Sequence, residues 1–175
     1  YIEKDSKLFF LKYKIQDSDE YISVATTRPE TIFADTAIAI NPNDIRYKKL
    51  KGSKVIIPIV NRSIPIVFDE LVEKDFGTGC LKVTPAHSEK DFSIGLKHKL
   101  ESINIFNDDA TLNENGKHYN GLDRFLVRKK IILELNEKKL LLDSKQYKNK
   151  ISISERTSCV VEPKLSTQWF LKMNL

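Results

Sequence analysis

The chain has 175 residues, of which 41% are hydrophobic, and a net charge of +5. This length and composition fit one soluble globular domain, and no apolar run approaches the roughly 20 residues that a membrane helix requires. Cys80 and Cys159 stand far apart and outside any CxxC pair, which argues against a zinc site or a disulfide scaffold. Isolated thiols fit a reducing compartment, so we expect a cytoplasmic protein without metal or cofactor.

The positive charge comes mostly from lysine and has two interpretations. Cationic side chains displace counterions from phosphates, so the charge suits a polyanionic partner. A solvated lysine-rich surface explains the same charge without any partner. Charge alone leaves both open.

Short β-rich runs alternate with turn residues along the first half of the chain. They predict strands at 8–15, 21–25, 36–40, 54–60, 64–68 and 80–84. Pro58 and Pro65 interrupt two of these runs, which predicts edge strands or bulges.

Two helices are predicted. Residues 88–91 (SEKD) form a start similar to a capping box, and a second helix is expected over about 123–138, after a polar loop at 107–120. The apolar positions expected along these helices are Phe92, Leu96 and Leu100, then Phe125, Leu126, Ile132 and Leu133. Several short strands with two helices predict a mainly β fold, a barrel with flanking helices.

Polar residues concentrate in three segments of the chain. They are ATTRPET at 25–31, GTGCLKVTPAH at 77–87, and the predicted helix start that holds Asp91. The first follows a predicted strand, and the second contains a strand and continues into the third. Their polar groups are therefore expected at strand ends beside a helix N-terminus, where free backbone N–H groups receive anionic or carbonyl oxygens.

Each of these residues also has an ordinary structural interpretation. Thr27 and Glu30 have capping-box spacing, so Thr27 could cap a short helix. Asp91 could only complement the helix dipole, and Lys82, although inside an apolar strand pattern, could point to solvent by alternation. His87 suits a general base near neutral pH, or a structural residue that accepts a hydrogen bond.

Taken together, ATTRPET and GTGCLKVTPAH resemble the editing domain inserted into valyl-tRNA synthetases. The resemblance extends over nearly the whole chain and includes NPND at 41–44, NRSIPI at 61–66 and EPKLSTQWF at 162–170. The last segment is similar to the point where these enzymes return to their catalytic domain. Isoleucyl and leucyl relatives share the fold and the GTG turn, but do not usually carry KVTPAH or this return. The resemblance implies a closed β-barrel-like fold, and one domain over 1–175 that is cut from a longer synthetase.

The resemblance also implies roles for ten residues of this chain. Asp91 is expected to hold the α-ammonium group of the substrate, and Lys82 and Thr26 are the other expected catalytic positions. The expected substrate-binding positions are Thr27, Arg28, Thr31, Asp35, Phe76, Thr84 and Ser88. Ser88 is a departure, because the family often has an aspartate there. The contact that this aspartate makes in the family has no carboxylate in this chain, and Ser88 could serve only as a helix cap.

The implied activity is hydrolysis of threonine wrongly attached to valine tRNA. An apolar pocket rejects the added hydroxyl of threonine by only about a hundredfold, the established figure for valyl-tRNA synthetases themselves. A second, polar site pairs with that hydroxyl, whereas valine leaves polar groups unpaired at a cost of about 1–3 kcal/mol. The ester is already activated, so a positioned water suffices, with Asp91 as anchor and Lys82 or backbone N–H groups steadying the oxyanion.

Other functions compete with this one. Isoleucyl- or leucyl-type editing keeps the fold and changes the substrate, and a non-catalytic tRNA-docking module fits the basic charge. A metal-dependent hydrolase using Asp108 and Asp109 is disfavoured, because adjacent loop aspartates without further oxygen ligands are usually solvated. The partners expected from the resemblance are the acceptor end of valine tRNA and the parent catalytic domain, with no membrane.

Overall fold

The computed structural model describes residues 1–166, 169–171 and 173, so Thr167 and Gln168 of the EPKLSTQWF segment lie outside the described residues. Within them, a strongly curved sheet forms most of the fold. Its strands are β1 (Ile2–Ile15), β2 (Tyr21–Thr26), β3 (Ala37–Ile40), β4 (Lys54–Ile56), β5 (Ser63–Phe68), β6 (Cys80–Val83) and β7 (Leu141–Ile151). The α-helices are α1 (Glu89–His98) and α2 (Arg124–Glu137), and 3-10 helices cover Pro29–Ala34, Ile45–Leu50 and Glu114–Tyr119.

The sheet closes into a near barrel. Its strands follow the order β2-β1-β4-β5-β3-β6, with β7 added to β1, and only the β3–β5 pair is parallel among the described strand pairs. The two ends of this path, β2 and β6, lie beside each other. The predicted mainly β, barrel-like fold with flanking helices is therefore confirmed.

The first strand connects most of the sheet. Residues 2–11 of β1 pair with β7, residues 9–14 pair with β2, and the last two residues pair with β4. A bulge between Phe10 and Leu11 shifts the register of the β1–β7 pair. Leu11, Tyr13 and Ile15 alternate into the core with the period of two that a strand imposes. β7 was not predicted, because its sequence LLDSKQYKNKI is mostly polar and exposed.

The third strand is buried on both faces. Ile38 and Ile40 belong to the main core, whereas Ala37 and Ala39 face a second cluster that includes Ile94 of α1. Small side chains on that face let α1 approach closely. A Cβ added at Gly95 of this helix would lie 2.8 Å from the Pro85 side chain.

Both predicted helices are confirmed, but the faces they bury differ from the prediction. α1 buries Asp91, Ile94 and Gly95, and Leu96 is 65% exposed. α2 buries one row spaced by three or four residues, which is the helical repeat. That row is Arg124, Val127, Ile131 and Leu135. The exposed residues that we expected on the apolar side are Phe125, Leu126 and Leu133. The apolar residues of α2 are spread around the helix, so their periodicity could not identify the buried row.

The prediction that Pro65 marks an edge strand or a bulge was wrong. Pro65 lies in β5, which has β4 on one side and β3 on the other, so β5 is not an edge strand. Residues 63–65 pair with β4 and residues 66–68 pair with β3, which places Pro65 where the strand changes partners. A missing N–H is tolerated there because it interrupts neither ladder. Pro58 lies beyond the end of β4 at Ile56.

Three further features bear on the expectations. The loop expected at 107–120 contains the 3-10 helix Glu114–Tyr119. Cys80 is buried and Cys159 is exposed, and both are free thiols. Among the helices of the described residues, none has both the length and the apolar character needed to cross a bilayer.

Leu135 and Leu133 offer a matched test of the buried face of α2. We expect Leu135→Ala to lower the free energy of unfolding by about 2–5 kcal/mol, because it leaves a cavity in the core. Leu133→Ala is expected to change it by about 0.5 kcal/mol or less, since this side chain is 63% exposed. Urea unfolding measures both, and equal losses would contradict the assignment of the buried row.

Candidate active site

A pocket of about 500 Å³ opens where β2, β6 and the N-terminus of α1 meet. Nine of the ten predicted site residues line it: Thr26, Thr27, Arg28, Thr31, Phe76, Lys82, Thr84, Ser88 and Asp91. Asp35 does not line the pocket and lies fully buried beneath it. The predicted residues thus converge on one place in the fold.

A buried ion pair forms the floor of this pocket. The Lys82 ammonium donates to Asp35 Oδ1 at 2.9 Å and to Thr31 Oγ1 at 2.7 Å. The Tyr13 hydroxyl donates to the other oxygen of Asp35 at 2.5 Å. Lys82 is 6% exposed, so the interpretation in which strand alternation turns it to solvent is wrong.

The charges of this network are set by burial and by the ion pair. Burial raises the pKa of Asp35, and the Lys82 ammonium and the Tyr13 hydroxyl oppose that rise. Burial and the charge of Asp35 hold the pKa of Tyr13 well above its usual value, so Tyr13 remains a donor at neutral pH. An ammonium has three N–H donors, and Lys82 uses two of them within the described residues. The third has no partner among the described residues, and Lys82 lines the pocket.

Asp91 lies in the first turn of α1 with one oxygen bound and one oxygen free. Its Oδ2 accepts from the Thr84 backbone N–H at 2.9 Å and from the Thr84 hydroxyl at 3.0 Å. Its Oδ1 has no partner in the part of the chain that the structure describes, although the residue is only 6% exposed. Asp91 therefore does more than complement the helix dipole, because Thr84 fixes its carboxylate and the residue lines the pocket.

Ser88 caps the helix that carries Asp91. Its hydroxyl accepts from the Asp91 backbone N–H at 3.3 Å, which is the N-cap geometry. The capping role expected from the sequence is therefore confirmed, and Ser88 also lines the pocket.

The TTRPET segment folds around Arg28. The Thr26 hydroxyl accepts from the Arg28 N–H at 3.0 Å, and the Thr31 hydroxyl donates to the Arg28 carbonyl at 2.9 Å. The 3-10 helix that follows has Arg28 at its N-cap and no side-chain cap, so the interpretation of Thr27 as the cap is wrong. The Arg28 guanidinium donates to the His87 carbonyl at 3.1 Å and pairs with Glu162.

The glycine turn brings Phe76 to the pocket rim. Gly77 has a φ of +59°, and a Cβ at this position would lie 2.6 Å from the Cβ of Ala25, so only glycine fits. The Phe76 ring is 44% exposed and meets the edge of the Tyr147 ring at a centroid distance of 5.9 Å.

His87 is a structural residue. It is 1% exposed, and its Nε2 accepts from the Ile105 N–H at 3.1 Å. Burial, followed by the nearby charges of Arg28 and Lys82, lowers its pKa to about 3. Such an imidazole is neutral and a weak base at pH 7, which favours the structural interpretation of His87 over the general-base one.

Sequence reasoning missed the β7 side of the pocket. Tyr147 and Asn149 line it, and as residues two apart they share one face of β7. The only signal in the sequence was their position in a polar run without apolar alternation. In residues 1–166, 169–171 and 173, no group of three His, Cys, Asp or Glu side chains could hold a metal. Asp108 pairs with Lys164, and Asp109 bonds to Thr111.

The low pKa of His87 predicts a pH dependence of stability. The unfolded chain binds a proton near pH 6.5, and the folded chain does not until about pH 3. The contribution of neutral His87 to the free energy of unfolding is therefore complete above pH 6.5. It is lost as the pH falls, by up to about 1.4 kcal/mol per pH unit. We expect unfolding free energies of wild type and His87→Gln to converge between pH 6.5 and 4. Parallel curves over that range would contradict the assignment.

Comparisons with known proteins identify the family of this chain. The family model of the leucyl-tRNA synthetase editing domain matches residues 48–155. A valine–tRNA ligase of Christiangramia forsetii is 59% identical over 173 residues, and one of Porphyromonas gingivalis is 55% identical over 174 residues. Each match covers 99% of this chain and 20% of the relative, so the chain spans about a fifth of the length of these relatives.

Among solved structures, the fold matches the LeuRS of Agrobacterium radiobacter K84, determined as a ternary complex with tRNA and LeuAMS. The TM-score is 0.62 at 20% identity, over 84% of this chain and 20% of that chain. The likeness shows a shared fold. Because the family model matches more than half of its length, the chain belongs to the editing domains of aminoacyl-tRNA synthetases. The two relatives place it with the editing domains of valine–tRNA ligases.

Proposed function

We propose that this domain hydrolyses the ester of threonine wrongly attached to valine tRNA, by positioning a water molecule. One observation carries the proposal: the free oxygen of Asp91 and the buried ammonium of Lys82 line the same pocket. An aminoacyl ester carries a cationic α-ammonium group beside a carbonyl that becomes an oxyanion. The pocket holds one group of the right charge for each.

Asp91 suits the anchor of the α-ammonium group. The bonds from Thr84 fix its carboxylate, so little side-chain freedom is lost when the substrate binds. A hydrogen bond to a charged group contributes about 1.5–3 kcal/mol, more than a neutral one. The anchor also sets the distance between the ester carbon and the groups that hold the water.

Two free hydrogen-bond donors in the pocket favour threonine over valine. The Thr26 hydroxyl uses its oxygen to accept from Arg28, which leaves its O–H free, and Lys82 retains one N–H. The hydroxyl of threonine can accept from such donors, whereas the methyl group of valine leaves them unpaired. Each unpaired buried group costs about 1–3 kcal/mol, and 1.4 kcal/mol is a factor of ten.

The hydrolysis proceeds in this proposal without a protein nucleophile. Water attacks the ester carbon, the ester bond breaks, and the ribose hydroxyl of the tRNA leaves with a proton. Backbone N–H groups in the first turn of α1, beside Glu89 and Lys90 in the pocket lining, steady the oxyanion together with Lys82. His87 takes no part as a base, since its pKa is about 3.

The proposed partners follow from the same site. The acceptor end of valine tRNA delivers the ester, and the net charge of +5 supports binding of a polyanion. We also propose that residues 1–175 are one domain of a longer cytoplasmic synthetase, because the chain matches a fifth of each valine–tRNA ligase. Its catalytic domain would then be the second partner.

The test compares deacylation of threonyl-, valyl- and isoleucyl-tRNA by the full-length gene product. We expect the threonyl ester to be hydrolysed at least tenfold faster than the other two, because only its hydroxyl pairs with the free donors. A faster isoleucyl or valyl reaction would assign the domain to another editing type. Binding of tRNA without any deacylation would make it a docking module.

Asp91→Asn in the same assay isolates the proposed anchor. The amide oxygen of asparagine can still accept from Thr84, so the fold is preserved, while the negative charge is lost. We expect threonyl deacylation to fall by about 10- to 100-fold. Glu101→Gln removes an exposed carboxylate outside the pocket and serves as the control. Unchanged activity in Asp91→Asn would refute the anchor.

A further inference from the structure

The NPND segment at 41–44 has no role in the proposed hydrolysis. It ends at Asp44, the N-cap of the 3-10 helix Ile45–Leu50. Two side chains of this helix bond to the loop at 69–79 between β5 and β6, here called the Phe76 loop. Phe76 is the residue of this loop that lines the pocket of the candidate active site. The contacts that hold the loop therefore bear on the site.

A buried carboxylate fixes the side chain of Arg46. Asp44 is 4% exposed, and its Oδ1 accepts from the Arg46 backbone N–H at 3.1 Å and from Nε at 2.8 Å. Its Oδ2 accepts from Nη2 of the same guanidinium at 2.6 Å. Two parallel bonds between a guanidinium and a carboxylate set the orientation of both groups. Arg46 is therefore held in one orientation, although its side chain is 53% exposed.

Arg46 and its neighbour Tyr47 bond to the Phe76 loop on either side of Phe76. The Nη2 of Arg46 donates to the carbonyl of Lys74, two residues before the ring, at 2.7 Å. The hydroxyl of Tyr47 donates to the carbonyl of Thr78, two residues after the ring, at 2.9 Å. Burial raises the pKa of Tyr47 to about 12, so its hydroxyl stays a donor at neutral pH.

The second glycine of the GTG turn shows how closely the guanidinium approaches the loop. Gly79 has a φ of +78°, and a Cβ at this position would lie 2.6 Å from Nη2 of Arg46. The same Cβ would lie 2.9 Å from Oδ2 of Asp44. A side chain at 79 would therefore displace the ion pair, and glycine leaves the space that the pair occupies.

We propose that Arg46 and Tyr47 are positioning residues that place the Phe76 ring at the pocket rim for the substrate. The inference rests on the proposed function, in which Phe76 is a substrate-binding position. Neither Arg46 nor Tyr47 lines the pocket, so both act through the loop. A ring that is already in place loses less freedom when the substrate binds, and this strengthens binding. Releasing the loop therefore weakens binding of the substrate.

The test measures deacylation of threonyl-tRNA by the full-length gene product carrying Arg46→Gln or Tyr47→Phe. The matched controls are Lys48→Gln, an exposed cation on the same 3-10 helix, and Tyr21→Phe, which removes an exposed hydroxyl from β2. Thermal unfolding verifies that every variant folds. If Arg46→Gln does not fold, Tyr47→Phe decides alone, because it removes a single oxygen atom.

We expect each of the two variants to raise KM by about threefold to tenfold, the loss of one hydrogen bond, with kcat unchanged. The controls are expected to leave both constants unchanged. An unchanged KM in either folded variant would overturn the proposal, and so would a fall in kcat at constant KM.

A second background shows whether the two residues act through the ring. In Phe76→Ala, which has no ring to place, Arg46→Gln and Tyr47→Phe are expected to change KM by less than about twofold. A rise in KM as large as in the wild-type background would overturn the proposal, because the residues would then act independently of Phe76.

Amide hydrogen exchange separates this inference from the proposed function. If the wild type hydrolyses no threonyl ester, the proposed function fails, and exchange in residues 72–79 then decides the inference. Faster exchange in both variants than in their controls supports it, because the loop then opens more often. Exchange equal to that of the controls in either variant overturns it.

Discussion

The buried ion pair between Lys82 and Asp35 is the constraint on which the site depends. Lys82 belongs to β6, Asp35 follows the first 3-10 helix, and the hydroxyl that completes the pair comes from Tyr13 on β1. The network therefore joins the last strand of the sheet path to the first strand of the chain, across the near barrel. A buried charge without its partner costs several kcal/mol, so these elements are held in one arrangement.

This arrangement fixes the polar groups of the pocket and leaves some of them unpaired. Thr31 is held by Lys82 and by the Arg28 carbonyl, and Asp91 is held by Thr84. One N–H of Lys82 and one oxygen of Asp91 remain available, at the end of the barrel where the TTRPET segment meets α1. We propose that this rigid polar chamber recognises an added oxygen atom, which an apolar pocket does poorly.

The sequence predicted the features that depend on local signals. Strand positions followed from β-rich runs, and the start of α1 followed from the cap at Ser88. The gathering of site residues followed from two motifs. The buried row of α2 could not be predicted, because Phe125 and Leu133 are as apolar as Leu135 and only tertiary packing selects between them. Polar β7 gave no periodic signal, and the burial that makes His87 a weak base depends on contacts distant in sequence.

A double-mutant cycle on Lys82 and Asp35 tests the central constraint most directly. The free energy of unfolding is measured for Lys82→Met, for Asp35→Asn and for the two changes combined. Each single change leaves a buried charge unpaired and is expected to cost about 3–5 kcal/mol. The combined change removes both charges, so its cost is expected to be clearly smaller than the sum. Additive costs would show that the two side chains act independently and would contradict the account.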